Sequence, residues 1–144
     1  MITIKNKAAL RKMEVAGQLL AQICEEIKPV IVVGIDTLSL DTFISKKMTE
    51  KGLVSCTKGY MGYRHHSCIS LNDEVVHGVP RKDKVLAVGD LVKVDICASW
   101  QGYCADMARQ FFVGSSSDEA RRLAEVAEQS LKAGIAKAVV GNRL

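Results

Sequence analysis

Apolar side chains recur every three or four positions at the start of the chain. Met13, Ala16, Leu20, Ile23 and Ile27 fall on one side of a 3.6-residue repeat and Pro29 follows, so an amphipathic helix is predicted over residues 5–28. A second helix is predicted from Asp36 or Thr37 to Gly52, with Leu40, Phe43, Ile44 and Met48 on its apolar side. The pattern then changes to glycine-punctuated segments. "CISL" (68–71) and "EVVHG" (74–78) read as strands, as do "VLAVGDLVKVDICASW" (85–100) and "YCADMARQFFVG" (103–114). The last stretch, 115–140, returns to helical spacing and opens with Ser116 three residues before Glu119, a capping-box pattern. Helix, helix, strands and helix in that order predict an α+β fold, an antiparallel sheet covered by helices on one face.

The 144 residues suit one domain with a sizeable core. Apolar content of 48% and charged content of 25% are ordinary globular values. The net charge of +4 is spread out, so neither composition nor motif points to DNA. The N-terminus carries no secretory leader pattern and no apolar run has spanning length, so the expected location is the cytoplasm, with no membrane partner. Five cysteines, without a CxxC spacing, read as reduced thiols rather than a disulfide framework, with Cys24 and Cys56 assigned to the core.

Two acidic residues, Asp95 and Asp106, interrupt the apolar runs on either side of "WQGY" (100–103). If Gln101 and Gly102 form a two-residue turn, Cys97 lies opposite Asp106 and Asp95 opposite Ala108. Side chains that are directly opposed share a face, so both aspartates project to one side as diagonal neighbours, with Cα atoms about 7–8 Å apart. Such a pair can share a proton, flank a glycosidic bond, or hold hard divalent cations through oxygen. Pairing with Lys93 or Arg109, or exposure on an open sheet face, is the plain structural alternative. His77 by itself reads as a structural histidine, and Tyr60 and Tyr63, beside glycines, as loop packing. His65 and His66 read as exposed loop residues without a role.

"NDEVVHGVP" (72–80), "GDLVKVDI" (89–96) and "GYCADMARQF" (102–111) together resemble the first half of a type I methionine aminopeptidase, and "KGYMGYRHHSCISLN" (58–72) extends the resemblance. It implies the pita-bread fold, two α+β halves around a concave sheet. Residues 1–144 would form an incomplete catalytic domain: the first half and the first helix of the second. It further implies a site for two divalent metal ions (Co, Mn, Fe, Zn or Ni) with Asp95 and Asp106 as ligands, and His77 hydrogen-bonding the scissile amide. Tyr60, Tyr63 and Cys68 would line the methionine pocket. The implied activity is removal of the initiator methionine from nascent peptides, at the ribosome; a prolidase-like peptidase or a non-catalytic peptide-binding module is the alternative. The family's remaining ligands, a histidine and two glutamates, belong to its second half, so the ions are expected to be incompletely liganded here and the chain alone inactive. An uncovered half is also expected to self-associate. Departures from the family pattern are Cys97, where a small hydroxyl residue is usual, and Met107-Ala108 after the second aspartate.

Overall fold

In the computed structural model, which describes residues 3–143, two long helices pack on one face of a four-stranded antiparallel sheet. Leu144 and the first two residues, included in the expected domain, lie outside the described residues. Helix α1 spans Lys7–Ile27 and is capped by Asn6, whose side chain accepts the Ala9 N–H at 2.9 Å. Its buried residues, Ala9, Ala16, Leu20, Ile23, Cys24 and Ile27, follow the predicted repeat, whereas Met13 stays on the rim. Helix α2, Thr37–Glu50, starts on Asp36 and buries Leu40, Ile44 and Met48.

The sheet is organised around its longest internal strand. β1 (Val54–Ser55), β2 (Cys68–Leu71), β3 (Leu91–Trp100) and β4 (Tyr103–Phe112) are all antiparallel to their neighbours. β4 pairs with β3 along its whole length, so β1 and β2 share the opposite edge of β3, end to end. Val92, Val94, Ile96 and Ala98 alternate into the helix-covered face and are completely buried. Each such valine or isoleucine contributes about 1.5–3 kcal/mol of apolar burial. Lys93, Asp95 and Cys97 project to the other face, which stays open.

Three segments depart from the sequence expectation. The run 74–78 is loop rather than strand: the Glu74 carboxylate accepts the Leu71 N–H at 2.7 Å and pairs with Lys84, and His77 has a positive φ of 56°. A strand accommodates neither the turn at Glu74 nor the left-handed residue at its end. β3 starts at Leu91, because Val85 makes only an isolated bridge to Asp36 and Gly89-Asp90 turn the chain. Helix α3 spans Asp118–Lys137 and its cap is Ser117, which accepts the Ala120 N–H, so the expected Ser116–Glu119 box does not form. α3 stands apart from the helix-covered face. Only Ala124 is buried, and it is tied to the sheet by Gln110 Nε2 donating to the Ala124 carbonyl at 2.9 Å.

The loop between β1 and β2 is fastened from below by a buried carboxylate. Asp41 of α2, 4% exposed, accepts the backbone N–H groups of His66 and Ser67 at 2.9 Å each and the Ser67 hydroxyl at 2.7 Å. His65 Nδ1 lies 3.4 Å from its second oxygen. His65 and His66 are therefore half-buried and engaged, not loose loop residues as expected; His66 Nε2 also meets Ser45 Oγ and Lys58 Nζ, each at 3.1 Å. Burial, aided by the Lys58 charge, holds the His66 pKa below its ordinary value. Asp41→Ala strands the buried Ser67 N–H and the half-buried His66 N–H and should cost about 2–3 kcal/mol, read as a lower urea midpoint. A midpoint within error of the parent would refute the anchoring role.

Candidate active site

The β3–β4 hairpin closes on Gln101 and Gly102, whose φ values of 49° and 81° are those of a type I′ turn. Trp100 pairs with Tyr103, Cys97 with Asp106 and Asp95 with Ala108. The two aspartates therefore share the open face as diagonal neighbours. The Asp95 pKa is raised, first by partial burial and then by the Asp106 charge, while His77 opposes the shift. Two carboxylates that resist joint ionisation form a place where a cation is favoured.

His77 reaches this face from the loop outside β2. The loop is held by Gly78, whose carbonyl accepts the Ile69 N–H at 2.8 Å and whose N–H donates to the buried Ser70 hydroxyl at 2.9 Å. His77 and Asp95 line one open cleft of about 670 Å³, walled by Val75 and Val76 on one side and by Leu131 and Ile135 of α3 on the other. Cys68 is the strand partner of Asp95, and its thiol lies against the Tyr63 hydroxyl, which donates to the Ser67 carbonyl at 2.9 Å. Burial pushes both Tyr63 and Cys68 up in pKa, so both are protonated and neutral. Tyr60, by contrast, sits 69% exposed in the turn Tyr60–Gly62, and none of Tyr60, Tyr63 and Cys68 lines the cleft.

Of the family departures, Met107 points to the other face and packs on the core, whereas Ala108 and Cys97 stand beside the aspartates. The Cys97 thiol is pushed up to about 12 by burial, then by Cys56 and Asp106. Cys56 is half-exposed on this same face rather than in the core, as the sequence reading had it; Cys24 is buried as expected.

Residues 11–144 match metallopeptidase family M24. The chain belongs to that family. Within M24, it is 40% identical over 144 residues to methionine aminopeptidase 1 of Bacillus subtilis, covering all of this chain and 58% of that protein. The crystal structure of methionine aminopeptidase from Thermotoga maritima superposes with a TM-score of 0.91 at 35% identity, over 96% of this chain and 55% of that one. An X-Pro aminopeptidase from the same organism shares the fold alone, with a TM-score of 0.76 at 19% identity. The M24 chain thus has the pita-bread architecture, fits an N-terminal part of a methionine aminopeptidase, and spans a little over half the length of the relatives it matches. No helix among the described residues is long and apolar enough to cross a membrane.

Proposed function

We propose that the protein to which this M24 chain contributes removes N-terminal methionine from peptides, nascent chains among them, in the cytoplasm. The observation that carries the reading is the convergence of Asp95 and Asp106 on an open sheet face, with His77 across the same cleft as Asp95. A pair of facing carboxylates fits hard divalent ions as oxygen donors. The fit is partial, because no group of three or more His, Cys, Asp or Glu able to hold a metal occurs among the described residues. Such ions, when bound, supply Lewis-acid polarisation of the scissile carbonyl and a water that is acidic near neutral pH.

The chain's own residues do the rest. Asp95 and Asp106 would hold a divalent cation against the sheet through their carboxylate oxygens. His77, exposed across the cleft from Asp95 on a left-handed backbone, would hydrogen-bond the scissile amide. Tyr63, half-buried, and Cys68, buried beneath it beside its strand partner Asp95, are both neutral and would offer an aromatic edge and a sulfur to a thioether. Tyr60 completes that slot only if its turn folds inward over the face. Free thiols at all five cysteines suit a reducing compartment.

The test is an assay of the protein in its natural reading frame on Met-Gly-type peptides under anaerobic Fe(II), Mn(II) or Co(II). Methionine release supports the reading and its absence with all three metals overturns it. The 144-residue chain alone should show no turnover. Leu123, Leu131 and Ile135, exposed apolar side chains of α3 of which the last two wall the open cleft, and the outer edge of β4, unpaired among the described residues, support self-association of the isolated chain. Sedimentation at tens of micromolar should show a dimer or larger species, and a clean monomer would count against it.

A further inference from the structure

The open sheet face carries a second chemistry beside the carboxylates. Cys56, one residue past β1, donates its N–H to the Cys97 carbonyl at 2.9 Å, which places it on the same rung as Cys97 and Asp106. Its Sγ lies 3.7 Å from Sγ of Cys104, which comes from β4 on the far side of β3. Cys104 is exposed and Cys56 half-exposed, so both sulfurs are open to ions in solution. Thiolate sulfur selects soft cations, as carboxylate oxygen selects hard ones.

We propose that Cys56 and Cys104 together hold one soft monovalent d10 cation of the Cu(I) class. Metal–thiolate bonds of about 2.3 Å placed in line span about 4.6 Å. Thiols 3.7 Å apart therefore need to open by only about 1 Å, within the reach of side-chain rotation at an exposed cysteine. No backbone movement is required. A disulfide is a poorer fit, because the two residues flank β3 instead of neighbouring each other, and bridging needs Cα atoms within about 7 Å. As the two sulfur–metal bonds form, each thiol passes its proton to solvent, with no change of oxidation state.

The test is an anaerobic titration of the fully reduced chain with Cu(I) against a chromophoric Cu(I) chelator. One tightly held ion per chain is expected. Cys56→Ser and Cys104→Ser should each weaken it at least about tenfold, the step between two thiolates and one, while Cys68→Ser leaves it unchanged. As a second readout that does not depend on variants, Cu(I) should protect two thiols from alkylation, mapping to Cys56 and Cys104. Parent-like affinity in either of the first two variants, or protection mapping to another pair, would overturn the proposal.

Discussion

Gly78→Ala is expected to destabilise the chain by about 4 kcal/mol, a large part of the roughly 5–15 kcal/mol by which a domain of this kind is folded. The glycine is not there for its backbone angle, since the left-handed residue in the loop is His77. It is there for space. A Cβ at position 78 would lie 2.3 Å from the Ile69 carbonyl oxygen and 2.7 Å from the Ser70 Cα, both backbone atoms of β2 that cannot rotate away. Relief requires the loop to lift off the strand, which breaks the Ile69 N–H bond to the Gly78 carbonyl and the Gly78 N–H bond to Ser70 Oγ. Both lie in buried surroundings, where an unpaired group costs about 1–3 kcal/mol. The same displacement carries His77 away from Asp95, so the substitution acts on fold and site together. The urea midpoint of the variant measures the first effect. A loss below about 1 kcal/mol would mean that the loop does not seat on β2 as described. Ser70→Ala removes one partner of the same contact without the collision and should fall between the variant and the parent.

This position also shows what could be read from the sequence and what could not. The hairpin was legible, because a two-residue turn ending in glycine fixes the register and alternation then assigns every side chain to a face. The helices α1 and α2 were legible for the same kind of reason: their apolar spacing is local. The α3 cap was not, because Ser115, Ser116 and Ser117 offer three adjacent hydroxyls and the choice depends on where β4 delivers the chain. Ser117 takes the cap, and Ser116 Oγ is left buried without a partner. "EVVHG" misled through its valines, which suit a strand by composition; Val75 and Val76 are instead exposed on the cleft wall. Asp41 and Cys56 were beyond sequence reasoning altogether. Asp41 earns its role from partners 25 and 26 residues away, and Cys56 meets Cys104 across 48 residues. No periodicity signals contacts of that range. Of the four thiols on the open face, Cys56, Cys68, Cys97 and Cys104, only Cys97 and Cys104 could have been placed there from the hairpin register.

Asp106→Asn is expected to move stability and function in opposite directions. In the metal-free chain Asp106 adds a negative charge next to Asp95, which already resists ionisation through its burial. Replacing that charge by a neutral amide of the same shape removes the repulsion, so the urea midpoint at neutral pH should rise or hold, and it should not fall. The backbone register depends on the turn rather than on this side chain, so Cys97 stays opposite position 106. For the proposed function the same change removes an ionised oxygen donor from the cation site. Altering groups that merely orient a metal ligand lowers affinity or activity about 10–100-fold. Loss of a ligand itself should therefore lower methionine release by the longer protein at least about 100-fold, and weaken binding of Mn(II) or Co(II) in parallel. The opposed signs separate this reading from a structural one. A carboxylate kept for folding would lose stability and activity together. A carboxylate irrelevant to both would leave the metal isotherm unchanged, and that result would remove Asp106 from the site.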